Sequence, residues 1–265
     1  MFFGPLVRAL PQLGRPRHWR AARAGRILNE MASLPFAGLD GIIGNGTALV
    51  LAPHPDDESL GCGGLIAEAC ALGRPPVVAV LTDGTLSHPT SPSFPPPRLK
   101  ALREAETRAA VAALGLGPEH VHFLGLPDGQ APREGQAMLQ AAERVARLAR
   151  AHEASAILAT WEHDPHPDHV AAHAIAREAA RLADARLVSY AVWGWTLPPR
   201  LRLPVAGVTG ARLDIARHLP AKRRAIAAHA SQSSALIADD PQGFRLPDTL
   251  LAALDRPFEA FLFAS

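Results

Sequence analysis

Two short polar clusters carry most of the chemistry available to this sequence. The first, His54-Pro55-Asp56-Asp57-Glu58, follows the apolar run 47–52 (TALVLA) and Pro53; the second runs from Glu162 and ends in His166-Pro167-Asp168-His169. A catalytic zinc takes about three protein ligands from His and Asp/Glu and keeps a further position for water. His54 and Asp57, three apart across a strand-to-helix turn, can point at one ion, with the fixed backbone of Pro55 limiting how that turn folds. Asp56 stands between them, where a second carboxylate suits a general base, because a metal lowers the pKa of its water to roughly 7. The third ligand must come from the second cluster, and either His166 or His169 can serve. Each cluster alone has an ordinary explanation, a satisfied histidine beside an Asp that caps a helix. Two of them at equivalent ends of core strands argue against that explanation.

Other histidines offer less. His169 and His173 form an i, i+4 pair, which makes His173 the rival ligand, with His163 a weaker second. His88 lies in a proline-rich loop and reads as solvated. His120 and His122 flank the start of a strand.

The elements needed to position the clusters are visible in the hydrophobic pattern. Runs 47–52, 77–82, 121–124, 156–160 and 187–192 read as short strands buried on both faces. Between them, 59–72, 98–114, 134–152 and a segment ending near 183 read as helices, and 83–97, with five prolines, reads as a long functional loop. This alternation predicts an α/β fold: an open, mostly parallel, Rossmann-like sheet with helices on both faces. Ligands in such sheets bind outside the carboxyl ends of the strands, where both polar clusters fall. Toward the end, 205–215 offers strands, 220–229 a helix and 259–263 a last strand. The expected organisation is a basic lead-in, 1–46, and a single α/β domain, 47–265.

With 265 residues, 48% hydrophobic and 20% charged, the chain can bury a large core and has the composition of a globular protein. A formal net charge of +2 gives no reason to expect nucleic acid as a partner. Arg8, Arg15, Arg17, Arg20, Arg23 and Arg26 stand against the single acid Glu30. That run reads as a solvated arm or a short amphipathic helix lying on the domain, with weak contact to an anionic membrane or partner as the sharper alternative. Cys62 and Cys70 share one predicted helix about 12 Å apart, too far for a disulfide. No apolar run approaches the ~20 residues that span a bilayer, and the opening MFFGPLVRAL lacks a secretory core, so a cytoplasmic location is expected.

In these motifs the chain resembles the LmbE-like, or PIG-L, N-acetylglucosaminyl deacetylases. Members carry A-H-P-D-D-E after the first strand and H-P-D-H further on; here Ala52-Pro53-His54-Pro55-Asp56-Asp57-Glu58 departs only by the extra Pro53, and His166-Pro167-Asp168-His169 matches. Arg103-x-x-Glu106 on a helix, Phe123-Leu124-Gly125-Leu126-Pro127-Asp128, and 222–232 (KRRAIAAHASQ) extend the likeness to about 47–232. The resemblance implies a zinc-dependent hydrolase that removes an N-acetyl or other N-acyl group from an amino-sugar compound. It makes His54, Asp57 and His169 the zinc ligands and Asp56 the general base. His166, held by Asp168, would stabilise the oxyanion as a protonated imidazole. Arg103 and Asp128 match positions that hold sugar hydroxyls or an anionic aglycone, although a helix-face ion pair and a turn residue explain them equally well. His229 and Gln232 would close the pocket, and homo-oligomers are plausible for such a family. Other divalent ions suit the same ligands. The alternatives are an N-deacylase of a lipid-linked or natural-product glycoside, and a non-catalytic sugar- or nucleotide-binding module. Against the last, no G-x-G-x-x-G follows the first strand, and Gly61-Cys62-Gly63-Gly64 falls inside a helix, where it permits close helix–sheet packing.

Overall fold

The computed structural model describes residues 21–263. Arg8, Arg15, Arg17 and Arg20 of the basic run lie outside the described residues. The centre is a seven-stranded sheet built from β2 (Thr47–Ala52), β3 (Val77–Thr82), β4 (Val121–Leu126), β5 (Ala154–Thr160), β6 (Arg186–Tyr190), β8 (Gly210–Asp214) and β9 (Phe258–Phe263), in the order β4-β3-β2-β5-β6-β9-β8. The five strands from β4 to β6 are parallel, and β9 runs antiparallel to both β6 and β8. From β2 the chain first builds outward through β3 to β4, then returns to place β5 on the other side of β2. The order therefore reverses at β2/β5, the position where open α/β sheets bind ligands.

Alternation along each strand divides the core between the two faces. Val50, Val80, Leu158 and Val188 pack with Leu65 and Ile66 of α3 (Asp57–Ala71) and Val111 of α4 (Pro96–Ala113). Leu49, Leu51, Leu81 and Ile157 pack with Val145 of α5 (Gly135–Ala151) and Ile175 of α6 (Pro167–Ala183) on the other side. Helices thus cover both faces, as the alternating pattern predicts.

Several boundaries differ from the sequence reading, each for a local reason. Helix α4 starts at Pro96 instead of 98, because Pro96 and Pro97 occupy its first turn, where no amide donor is needed. Helix α3 starts at Asp57, inside the polar cluster. The 205–215 stretch resolves into β8 and a preceding loop, with the short β7 (Arg202–Leu203) before it pairing with β1 (Ala22–Arg23). Of the basic lead-in, α1 (Ala24–Ala32) lies on the domain and buries Ile27 and Met31 against Trp161, Leu197 and Leu203, so this part is not a solvated arm. A second short helix, α2 (Leu39–Ile43), and α9 (Asp248–Leu254) were not anticipated, whereas α7 (Leu219–Ala228) was.

The glycines of α3 do what their position suggests. A methyl at Gly61 would overlap the Tyr190 ring of β6, and one at Gly64 would overlap Ile215. Gly61→Ala is therefore expected to lower stability by about 1–3 kcal/mol through overpacking. Thermal unfolding of the variant checks this; an unchanged midpoint would mean that the helix can shift freely. Cys62 and Cys70 are both free thiols, and no described helix is long and apolar enough to cross a membrane.

Candidate metal centre and active site

The two polar clusters meet at the carboxyl ends of β2 and β5. Asp57 Oδ2 lies 3.1 Å from His54 Nδ1 and 3.2 Å from His169 Nε2, so one carboxylate oxygen joins imidazoles from distant parts of the chain. His54 Nε2 in turn stands 3.2 Å from Asp168 Oδ2 and 3.3 Å from Asp128 Oδ1. His54, His166 and His169 each offer a nitrogen, all within 4.8 Å of one another, and His54, Asp128 and Asp168 form a second such group.

The electrostatics of this cluster call for a cation. Burial alone would lower the His54 imidazole, yet Asp128, Asp168 and Asp57 carry it well above its ordinary value. Burial also opposes a charged His169, but Asp57 and Asp164 hold it up at about 9. Asp57 is held far below the usual carboxylate range, against burial, by His169 and His54. Each imidazole is thus drawn to bind a positive charge by surrounding carboxylates. A divalent ion on those nitrogens and on Asp57 meets the same demand, and the donor set fits it.

Asp56 is held apart from that cluster. Its backbone has φ 136°, a region that L residues rarely adopt, and such strain persists only where the surroundings impose it. They do so here. The Asp56 amide donates to Glu58 Oε2 (3.0 Å), and Arg103 Nη2 donates to Asp56 Oδ2 (3.2 Å) and to the Pro55 carbonyl (2.5 Å). Arg103 Nη1 donates to the Gly84 carbonyl (2.8 Å). Burial pushes the Asp56 carboxyl up to about 7, with Arg103 pulling against it and Asp57 pushing with it. A carboxyl poised there can both accept and return a proton near neutrality.

His166 differs from expectation in what orients it. The Asp168 carboxylate accepts from the amides of Gly129 (2.7 Å) and Ala131 (3.1 Å) and reaches His54, while the Asp168 backbone amide, 3.2 Å away, donates to His166 Nδ1. Because Nδ1 accepts, the neutral ring carries its proton on Nε2. Burial and the charges of His54 and His169 lower this imidazole to about 3, so it is neutral, not protonated as first expected. A ring with Nε2–H is a hydrogen-bond donor and has no lone pair for a metal there, which separates His166 from His54 and His169.

Of the residues expected to meet substrate, Arg103 is occupied behind Asp56. His229 Nε2 lies 2.8 Å from Glu58 Oε1, and Gln232 donates to Ser231 Oγ (3.1 Å) beside Glu106, all of them buried. These side chains are engaged inside the protein, His229 through the Glu58 that also accepts the Asp56 amide. Asp128 reaches the cluster itself and accepts the Leu86 amide (2.9 Å). The rival His173 lies 3.1 Å from the Thr160 carbonyl, His163 packs its ring 5.0 Å from that of Trp161, and His88 is buried, not solvated.

Asp164 is the residue that the sequence reading missed. It is buried, and its Oδ2 accepts the amides of Val192 and Gly194, both at 2.9 Å. Its Oδ1 lies 3.0 Å from His169 Nδ1, although neither ring nitrogen makes an aligned hydrogen bond, so a small ring rotation would seat both contacts. The only available signal was its place in the second cluster, two residues before His166. A carboxylate at Nδ1 fixes the tautomer that leaves Nε2 free for an ion. Asp164→Asn keeps an oxygen for the two amides but turns an NH2 toward Nδ1, forcing the proton onto Nε2. Metal affinity is expected to fall about 10–100-fold, measured by competition with a chelating dye; unchanged affinity would remove Asp164 from this role.

Comparison with known proteins places the sequence and the fold among deacetylases. Residues 49–180 match the family described as PIG-L: GlcNAc-PI de-N-acetylase. A 1D-myo-inositol 2-acetamido-2-deoxy-alpha-D-glucopyranoside deacetylase from Actinosynnema mirum is 29% identical over 227 residues, covering 69% of this chain and 80% of the relative. A probable N-acetyl-alpha-D-glucosaminyl L-malate deacetylase 2 from Bacillus cereus is 28% identical, covering 72% and 86%. The fold is that of N,N'-diacetylchitobiose deacetylase from Pyrococcus horikoshii, with a TM-score of 0.60 at 18% identity over 81% of this chain and 82% of the other. Residues 49–180 thus carry a PIG-L family domain.

Proposed function

We propose that this protein is a zinc-dependent deacetylase that removes the N-acetyl group from an N-acetylglucosamine-containing small molecule. The observation that carries the reading is the Asp57 carboxylate joining His54 and His169 beside Asp56, a carboxyl that contacts Arg103. His54, Asp57 and His169 would hold the ion, which when bound lowers the pKa of a water to about 7 and polarises an acyl oxygen. Asp56 would accept a proton from the water that attacks the amide carbon, and its raised pKa would let it keep that proton until the C–N bond breaks. It then returns the proton to the departing amine. His166 donates its Nε2–H to the acyl oxygen as negative charge develops there. A cytoplasmic setting, supported by the two unpaired thiols, and one domain over 47–265 belong to the same reading.

A second reading concerns what the sugar is attached to. Leu86, 54% exposed, rests beside Gly129 next to Asp128, and the Phe244 amide donates to the Ser87 carbonyl (2.7 Å). The Phe244 ring lies 5.9 Å from that of Trp193. An apolar rim of this kind favours an apolar aglycone, as in a lipid-linked or natural-product glycoside.

The test is amine release across N-acetylated sugars with polar and apolar aglycones, with and without chelator. Release that stops on chelation and returns with zinc is expected. Full activity after complete metal removal, or no release from any acetylated sugar by the metal-loaded protein, would overturn the proposal.

A further inference from the structure

At the amino-terminal end of the sheet, away from the site described above, three histidines gather. His120 ends the short turn Pro118–His120, His122 is the second residue of edge strand β4, and His152 caps the end of α5. The register sets His122 beside Ala79 of β3, and Ala79 packs on the face covered by α5, so the His122 side chain is aimed toward the end of that helix. The ring centroids of His122 and His152 are 5.6 Å apart, and those of His120 and His152 are 6.3 Å apart.

Two features point to a ligand. His120 Nδ1 and His122 Nε2 are shielded from solvent and have no hydrogen-bond partner. Buried polar nitrogens without partners are uncommon and ask for an explanation such as a water or an ion. Moreover, two imidazoles on one tetrahedral zinc, with Zn–N of about 2.0–2.1 Å, have centroids about 5 Å apart. The observed separations exceed that by little, although the nitrogens are not gathered within 4.8 Å as those of His54, His166 and His169 are. Side-chain rotation of the half-buried His120 and His152 is what closes the gap.

We propose that His120, His122 and His152 form a second divalent-metal site, selective for borderline ions such as Zn2+, Co2+ and Ni2+ that favour imidazole. A water completes the coordination, because Glu119 stands 3.8 Å from His120 Nε2, the other ring nitrogen from the unpartnered Nδ1. The surroundings favour the same ion. The carboxyl end of α5 presents the negative pole of its helix dipole. Burial, reinforced by His152 and His120, lowers the His122 imidazole and keeps it in the neutral form that binds metal. Bound there, the ion ties the edge strand β4 to the end of α5. The site plays no part in the deacetylation chemistry, so the two stand or fall separately.

The experiment is a zinc titration of protein already loaded at the His54–Asp57–His169 centre, read by calorimetry and by metal content after dialysis. Wild type is expected to take a second equivalent and to unfold at a higher temperature once it is bound. His122→Ala is expected to take only one equivalent, lose the thermal shift and keep the wild-type rate of amine release. His152→Gln, at a helix end where misfolding is not at issue, should behave in the same way. With Co2+, the second equivalent should add the visible absorption of a tetrahedral site in wild type alone. A wild type that stops at one equivalent, or variants that still bind two, would overturn the proposal.

Discussion

Replacing Asp56 by Ala is expected to lower kcat/KM about 10²–10⁴-fold, the range associated with losing a general acid–base group, while the protein keeps its metal. The retention is as informative as the loss. The Asp56 carboxylate contacts Arg103 and its backbone amide donates to the Glu58 carboxylate, whereas the oxygen proposed to face the metal belongs to its neighbour Asp57. Steady-state rates and metal content on the same preparation check both halves; a rate within a few-fold of wild type would exclude Asp56 as the base. The wild-type pH profile follows from the same carboxyl. The base works ionised, so kcat/KM should fall as pH drops through its pKa. That value stands at about 7 before an ion is added, and a dication beside it draws the acid limb lower.

The second large effect separates two histidines three residues apart. His169→Ala is expected to lose metal, and with it activity, because it removes the nitrogen that faces Asp57 from the first turn of α6. His166→Ala should keep the metal and lose rate through kcat, since its Nδ1 is engaged by the Asp168 amide and its Nε2–H is a donor. Elemental analysis of the purified variants decides between them. Metal retained by His169→Ala and lost by His166→Ala would reverse the two assignments.

The strands of the sheet were readable because buried parallel strands are continuous apolar runs, and TALVLA and VVAVLT have no competing interpretation. The turns that carry the candidate ligands were readable because they interrupt those runs with residues that a core would not otherwise tolerate. What sequence concealed were partnerships across the fold. Nothing local marks Arg103 as the group behind Asp56, since its partners are Pro55, Asp56 and Gly84 on other segments. Asp164 looked like one more acid before a helix until its oxygens were found between His169 and the amides of Val192 and Gly194. His88 reads as solvated in a proline-rich loop, yet it is buried against Gly243, more than 150 residues away in the chain. The α1 segment was obscured for the opposite reason: the arginines before it and Arg26 within it dominate the pattern, while Ile27 and Met31 provide the anchoring surface.

The reversal of strand order at β2 has a temporal consequence for synthesis. The half of the sheet from β2 to β4 can pair as soon as it leaves the ribosome, carrying His54 and Asp57 on an open edge. Only when β5 docks along that edge and α6 follows does His169 arrive beside Asp57 to complete the proposed ligand set. If His54, Asp57 and His169 hold the ion as proposed, metal capture would be a late event in the maturation of the nascent polypeptide, and a shortened chain ending before residue 169 should emerge with an incomplete ligand set and no hold on an ion.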